Sequence, residues 1–259
     1  MREIAAIATI AQRDVIKLFR DRTRIIATLI FPLVFIGVLG GSLQSNLADE
    51  AGYNFLAFIF AGVLGQTLFQ STASGIISLI EDRENDFSRE IFISPISRYS
   101  IIIGKIIGET LVAMLQLVGI VIFGLILGVP MTIFQIISLI PFFIIVCLFG
   151  GAFGVIVMSN LTSQRAANQI FPFLIFPQFF LAGVFAPIKE LPLVLEVLSR
   201  IVPMTYAVDL MRAIFFLGDS AYDKVVLFPL PVTLAVIAIY STIFVVIGTY
   251  MFIRNEKNK

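Results

Sequence analysis

Long apolar stretches without a charged residue alternate along this chain with short charged segments. A helix needs about 20 consecutive, mostly apolar residues to cross the roughly 30 Å hydrocarbon core of a bilayer. The charge-free stretch 110–164 is too long for one crossing, and Pro130 within the sequence GVPMT predicts a turn that divides it. The pattern therefore predicts six transmembrane helices, at residues 25–45, 53–80, 106–129, 133–158, 168–186 and 227–253.

The N-terminal segment, residues 1–22, has a mixed pattern. Its apolar residues recur at helical spacing: Ile4, Ile7, Ala8, Ala11, Val15, Leu18 and Phe19. Arg13, Lys17 and Arg20 lie mostly on the other side, which predicts an amphipathic helix in the inner membrane interface. The alternative is a cytoplasmic extension of the first span.

Residues 187–224 are too charged to cross lipid and too apolar for a free loop. Pro192 and Pro203 divide this segment, since proline ends or begins helices. We expect two short outer half-helices, near 190–201 and 204–216, packed into the outer leaflet or over the outer mouth of the bundle.

Composition agrees with a membrane protein. The 259 residues are 59% hydrophobic and 14% charged, whereas soluble domains have about 25% charged residues. We therefore predict an all-α membrane protein with one transmembrane domain spanning 1–259. Small residues four apart, at Gly37/Gly41, Gly124/Gly128 and Gly150/Gly154, predict sites where helices pack closely.

The distribution of basic residues predicts the orientation. Six spans place both termini on one side, and the segments on that side hold fourteen of the 18 Lys and Arg residues. Because basic residues accumulate in cytoplasmic segments, we expect a multi-pass protein of the cell membrane with both termini in the cytoplasm.

Residues that carry enzyme chemistry are scarce. Histidine is absent, Cys147 is the single cysteine, and no G-x-x-x-x-G-K-[ST] phosphate loop occurs. The chain is therefore predicted to be no enzyme, with no catalytic residue, no metal site and no cofactor of its own. A conduit that moves cargo uphill then needs energy from another protein.

A few polar residues within the spans are candidates for a translocation path. Gln66 and Gln70 are four residues apart on one helix face, and Gln178 lies in the fifth span. The amides line a path or bond across helices; both interpretations fit the pattern. Glu109 lies one turn after Lys105, so it either forms an ion pair near the headgroups or contacts substrate.

The segment 82–98, between the second and third spans, is unusually charged. Read as a cytoplasmic helix, Asp86 caps its start, Phe87 and Ile91 share one face, and Pro95 ends it. The alternative is a solvated loop whose charges only set the topology, which leaves the apolar residues exposed without cause. The helix interpretation favours docking into a groove of a partner protein.

The run DRENDFSREIFISPISRYSIIIGK, 82–105, resembles the signature of ABC-2-type exporter permeases, except that Asp86 stands where the family usually has glycine. The run FLAGVFAPIKELPLVLEVLSRIVPMTYAVDLMR, 180–212, resembles that family's outer element. Together they place the resemblance over nearly the whole chain. It is nearest to the drug and lipo-oligosaccharide export branch.

The resemblance implies the membrane half of an ATP-binding cassette exporter. Such permeases act as dimers or as paired homologues, with separate ATPase subunits that bind ATP and Mg. The implied ATPase-coupling residues are Arg83, Glu84, Phe87, Arg89, Glu90, Ile91 and Pro95, and the implied outer gate residues are Pro187, Pro192, Pro203, Tyr206 and Arg212. The implied substrate is an amphipathic drug-like or lipid-linked molecule.

Three other classes fit the sequence less well. An ion-coupled secondary transporter usually has ionisable groups at mid-membrane and inverted repeats. A channel has rings of charge or carbonyl filters. A membrane enzyme has a catalytic set. None of these features is visible in the sequence.

Overall fold

The computed structural model describes residues 2–84, 96–161, 163–190 and 192–257, and over these ranges it is helical and contains no strand. The helices, in chain order, are α1 Arg2–Arg20, α2 Arg22–Val34, α3 Gly41–Ala51, α4 Phe55–Ile77, α5 Leu79–Glu84, α6 Arg98–Ile126, α7 Ile133–Ser159, α8 Gln164–Leu181, α9 Leu193–Ile201, α10 Pro203–Phe215, α11 Tyr222–Val225 and α12 Leu230–Lys257. A π-helical turn, Phe35–Gly40, joins α2 to α3, and a 3₁₀ turn, Ile188–Glu190, lies between α8 and α9.

Five stretches of the described chain are long and apolar enough to cross a membrane. They are Thr28–Asn46, Phe55–Glu81, Tyr99–Ile126, Ile133–Ser159 and Tyr222–Asn255. The helix α8 covers most of the predicted fifth span, 168–186, but it is 18 residues long, contains Pro172 and Pro177, and is not one of the five. The all-helical, multi-span fold is confirmed, and the number six stays a prediction.

The bounds of α6 differ from the predicted third span, 106–129. The helix begins at Arg98, because the Ser97 hydroxyl oxygen accepts a hydrogen bond from the backbone N–H of Tyr99 and caps the first turn. It ends at Ile126, because Gly128 adopts a left-handed conformation with φ of 78°. Residues 98–105 therefore lie inside the helix and not before it.

The second span, α4, is the centre of the bundle. Within the most apolar part of this span, 83% of the residues are buried, and α7, α6 and α10 pack around them. Gly150 and Gly154 of α7 lie directly on it: an added Cβ would collide with Phe69 at the first position and lie 2.6 Å from the Ala73 carbonyl oxygen at the second.

The helix α1 lies along α6. Two glycines of α6 make this close approach possible, since an added Cβ at Gly104 would lie 3.1 Å from the Ile7 Cα, and one at Gly108 would lie 3.0 Å from the Ala11 Cα. Leu18 is buried on the same face of α1. The predicted helix over 1–22 is therefore present as Arg2–Arg20, and its position in the membrane interface stays a prediction.

The two predicted outer half-helices are present as α9 and α10, but they differ in burial. Leu193, Val194 and Ile201 of α9 are exposed. Every residue of α10 from Met204 to Phe215 is buried, so this helix is part of the bundle and does not lie over it. It enters because α4 has a glycine at the contact: a Cβ at Gly65 would lie 2.7 Å from the Ala207 carbonyl oxygen.

The α4–α7 contact gives the first prediction. Replacing Gly150→Ala places a methyl group against α4 and should lower the free energy of unfolding by about 1–3 kcal/mol, the usual cost of overpacking a core. Gly41→Ala is the matched control, since nothing lies within 4 Å of its added Cβ. Thermal unfolding of the purified variants in detergent checks the difference, and an equal effect of both substitutions would contradict the packing argument.

Candidate functional site

A polar cavity of about 240 Å³ opens beside α4, and we call it the mid-bundle cavity. Its walls are formed by Thr28, Phe31, Pro32, Gln66, Thr67, Gln70, Ser71, Ser74 and Gln116. These residues belong to α2, α4 and α6. The structure thus brings two of the sequence-predicted path residues, Gln66 and Gln70, into one cavity wall.

The amides in this cavity are held by hydrogen bonds. The Gln66 side-chain N–H donates to the Gln70 Oε1 at 2.6 Å, as their spacing of four residues allows. The Ser71 hydroxyl donates to the Gln116 Oε1 at 2.7 Å and so links α4 to α6. Gln66 and Gln70 thus line a cavity and bond to each other within α4, Gln116 bonds across helices, and the translocation path stays a prediction.

A second cavity, of about 480 Å³, lies at the end of the bundle where α1 ends and α8 begins, and we call it the basal cavity. Its walls are Lys17, Asp21, Ser74, Ile77, Ser78, Glu81, Gln164, Ala167, Asn168, Phe171 and Pro172. Ser74 contributes to the walls of both cavities, so they lie on neighbouring parts of α4. Charged side chains line the basal cavity, whereas uncharged ones line the mid-bundle cavity.

A buried ion cluster joins α1 to α6 beside α4. The Lys105 Nζ lies 2.9 Å from the Asp14 Oδ2 and 2.9 Å from the Glu109 Oε1, and the three side chains are 1–2% exposed. Arg13 also reaches Asp14, at 3.0 Å from its Oδ1. In this cluster the Lys105 ammonium lies between two carboxylates, an arrangement that limits the cost of burying all three charges.

Glu109 fits the ion-pair interpretation of the sequence. Its carboxylate occupies the space that a side chain at Gly75 of α4 would take. Neither the mid-bundle cavity nor the basal cavity is lined by Glu109. Gln178, the fourth predicted path residue, belongs to α8: its amide N–H donates to the Leu174 carbonyl one turn earlier at 2.8 Å, and its Oε1 accepts from the backbone N–H of Met204 in α10 at 3.4 Å.

The predicted ATPase-coupling segment lies largely outside the described residues. This applies to Phe87, Arg89, Glu90, Ile91 and Pro95, whereas the backbone of Arg83 and Glu84 forms the end of α5.

The helix α1 contacts the described residues at both ends of that segment. The Glu3 carboxylate accepts from the backbone N–H of Ser97 at 3.3 Å, and the Lys17 Nζ lies 4.0 Å from the Glu81 Oε2. One contact is therefore just before the segment and the other is near its end.

At the other end of the bundle, Arg212 of α10 anchors the turn after α8. Its guanidinium donates to the Gly183 carbonyl at 2.6 Å and to the Val184 carbonyl at 3.1 Å, and it lies 3.6 Å from the centre of the Phe58 ring. Burial lowers the pKa of Arg212 to about 9, so the group stays protonated at neutral pH.

Asp209, one turn earlier in α10, anchors the start of the last span. Its carboxylate accepts from the backbone N–H groups of Leu227 and Phe228 and from the Thr233 hydroxyl. Burial raises the pKa of Asp209, and these three donors partly offset that effect.

The remaining predicted outer residues lie near this anchor. The Tyr206 hydroxyl donates to the Arg200 carbonyl at 2.6 Å and ties α10 to α9. Pro187 is buried in the turn after α8, Pro192 precedes α9, and Pro203 is the first residue of α10. Four of the five predicted outer gate residues thus flank or form the two half-helices.

Asp14 and Gln116 were not predicted as site residues. The signal for Asp14 is that an acidic residue stands in the apolar stripe of α1, between Ala11 and Leu18, where only a buried partner makes it tolerable. The sequence gives no comparable signal that separates Gln116 from the other span amides.

Known proteins resemble this chain in sequence. A family model described as "ABC-2 type transporter" matches residues 5–216. A putative transport permease, ycf38, of Cyanophora paradoxa is 25% identical over 220 residues, which are 82% of this chain and 74% of that protein. Nodulation protein J of Rhizobium leguminosarum bv. trifolii is 26% identical over 74% of this chain and 73% of its own length. The probable multidrug ABC transporter permease YbhR of Escherichia coli K12 is 28% identical over 58% of this chain and 40% of its own length.

The ion cluster gives the second prediction. Lys105→Met leaves the Asp14 and Glu109 carboxylates buried together without their cation, so the free energy of unfolding should fall by about 3–5 kcal/mol. Arg200→Met is the control: its pair with Glu196 has an arginine side chain that is 51% exposed, and its loss should cost less than about 1 kcal/mol. Chemical unfolding in mixed micelles checks both values. A cost for Lys105→Met as small as that of the control would show that the cluster contributes little.

Proposed function

Because this chain belongs to the ABC-2 type transporter family, we propose that it is the membrane permease subunit of an exporter, driven by ATP hydrolysis on a separate subunit. In this proposal it moves an amphipathic drug-like or lipid-linked molecule outward. The permease role is common to the family match and the permease-named relatives, and the apolar helices of this chain agree with a membrane setting. Direction, substrate and partner are the proposed part.

The observation that carries the proposal is that two cavities lie along α4 and share Ser74 in their walls. Hydrocarbon offers no hydrogen bonds, so polar side chains within a membrane bundle gather where a cavity or another polar group receives them. The basal and mid-bundle cavities place such side chains in sequence along α4. We infer a route for cargo that starts among the charged walls at one end and leads to the amides deeper in the bundle.

The coupling of this route to ATP hydrolysis is assigned to segment 82–98. The apolar face of Phe87 and Ile91 docks into the ATPase, and Arg83, Glu84, Arg89 and Glu90 form the rim of that contact. Motion of the segment passes to α1, which contacts Glu81 just before it and Ser97 near its end. The ion cluster transmits it to α6 and, through the Glu109 carboxylate, to α4 at Gly75.

The proposed assembly contains two permeases, as identical copies or as paired homologues, and two ATPase subunits that bind ATP and Mg. Both termini and the coupling segment lie in the cytoplasm, and α9 and α10 lie toward the outer face. Arg212 and Tyr206, with the prolines at 187, 192 and 203, form the outer gate. The name of the relative YbhR, a multidrug ABC transporter permease, supports a drug-like cargo.

Docking gives the third prediction. Phe87→Asp puts a charge on the proposed apolar contact and should abolish co-purification of the cognate ATPase and transport-coupled ATP hydrolysis. Phe134→Asp is the matched control: this phenylalanine is 79% exposed in the first turn of α7, at the opposite end of the bundle. Normal values of both readouts for Phe87→Asp would exclude the docking role.

The route gives the fourth prediction. Ser74→Trp adds a bulky side chain to the wall that the two cavities share and should block ATP-dependent efflux of fluorescent amphiphiles, both neutral and charged, while the ATPase still co-purifies. Ser45→Trp adds the same bulk at an exposed position of α3 away from both cavities and should leave efflux intact. Uptake driven by an ion gradient in the purified chain alone would instead favour the secondary-transporter alternative.

A further inference from the structure

We propose that the mid-bundle cavity binds an uncharged, hydrogen-bonding part of the transported molecule, such as a hydroxyl or amide group, and that Gln116 determines this specificity. The inference rests on the proposed function, since it names the class of ligand that the same route accepts. It comes from the chemistry of the cavity wall and from the hydrogen bonding of one buried amide.

The residues that line the mid-bundle cavity are mostly polar, and none of them is charged. Seven of its nine lining residues are glutamine, serine or threonine, and the other two are Phe31 and Pro32. A charged group that entered from water would lose its hydration and find no counter-charge in this wall. An uncharged polar group would exchange its bonds with water for bonds with the amides and hydroxyls.

Gln116 carries a buried amide nitrogen that makes no hydrogen bond with the described residues. Its side chain is 4% exposed, and its Oε1 accepts from Ser71. Among the described residues its Nε2 has no hydrogen-bond partner. The nitrogen and oxygen of an amide are assigned from their bonds, and exchanging them still leaves one polar atom of Gln116 without a partner. An unmade bond at a buried amide is costly, and a ligand that makes it gains that energy.

Gln66 and Gln70 extend the same chemistry along α4. Their mutual bond uses one N–H of Gln66 and the carbonyl oxygen of Gln70, so the amide N–H groups of the half-buried Gln70 remain as donors on the cavity wall. Phe31, which is 40% exposed, gives the opposite wall an apolar surface. The cavity therefore matches a ligand with an apolar body and uncharged polar groups on one side.

The basal cavity differs from the mid-bundle cavity because its wall carries charged residues. Its wall carries Lys17, Asp21 and Glu81, so charged parts of a molecule have partners there. The structure thus assigns charged groups to the basal cavity and uncharged groups to the amides beyond Ser74.

A single reporter tests the assignment. The chain contains no tryptophan, so Phe31→Trp places the only indole of the protein on the cavity wall. The full chain in lipid nanodiscs is titrated with three nitroxide-labelled dodecyl probes that differ in headgroup: glucosyl, trimethylammonium and sulfate. We expect saturable quenching by the glucosyl probe at concentrations where the two charged probes quench only in proportion to their amount in the lipid.

Two substitutions in the Phe31→Trp background identify the residue responsible. Gln116→Leu keeps the volume and removes the amide, and it should weaken glucosyl binding about five-fold, the factor for one net hydrogen bond. Gln169→Leu makes the same change at an exposed glutamine that lines neither cavity and should leave binding unchanged. A third substitution, Gln70→Lys, adds a charge to the wall and should shift the preference to the sulfate probe.

Equal or tighter saturable quenching by a charged probe would overturn the proposal, as would an unchanged affinity in Gln116→Leu. Absence of saturable quenching by all three probes would overturn it as well, while ATP-driven efflux by the complex with its ATPase would still support the proposed function. Selective binding of the glucosyl probe without any ATP-driven efflux would give the opposite result: the binding site would be supported and the exporter proposal would fail.

Discussion

The cost of burying charge in a membrane bundle is the constraint on which the inner end of this structure depends. Lys105 and its two carboxylates lie among three helices, in a place where any one of them alone would be strongly unfavourable. They are tolerated because α1, α6 and α4 approach closely enough to bring them together. The glycines at 75, 104 and 108 permit that approach, so the ion cluster and the helix packing require one another.

The outer end uses the same constraint with different partners. Arg212 is satisfied by backbone carbonyls and an aromatic ring, and Asp209 by backbone N–H groups and a hydroxyl. Each of these side chains bonds the backbone of a connecting segment. The turn after α8 and the start of α12 are therefore fixed to α10, and the buried half-helix organises the connections around it.

Sequence reasoning predicted the elements well and their burial less well. The long charge-free stretches predicted all five helices of the described chain that are long and apolar enough to cross a membrane. They could do so because the length of a bilayer crossing is a strong constraint on any one helix. They did not show that α10 lies inside the bundle, since that depends on Gly65 of another helix meeting Ala207. The start of α6 at Arg98 has a different origin, because it is set by the local bond at Ser97, which hydropathy does not record.

In the candidate site, too, features of a single helix were predictable from the sequence, whereas contacts between helices were not. Spacing along one helix placed Gln66 and Gln70 together, because residues four apart share a face. Two other pairs join different helices: Ser71 bonds to Gln116, and Lys105 pairs with Asp14. Residue spacing along one helix cannot predict such contacts. The coupling residues from 87 to 95 remain predictions, since they lie outside the described chain.

The π-helical turn at Phe35–Gly40 follows directly after the part of α2 that forms one wall of the mid-bundle cavity. Such a turn holds one residue more than a regular turn of α-helix. Moving it one turn along the helix rotates the residues it passes by about 100° while almost every backbone hydrogen bond is exchanged for an equivalent one. Such a shift of the turn into α2 would change which α2 side chains face the cavity. The α2 wall, which carries Phe31, is therefore the wall that can change its side chains with the smallest loss of backbone hydrogen bonds.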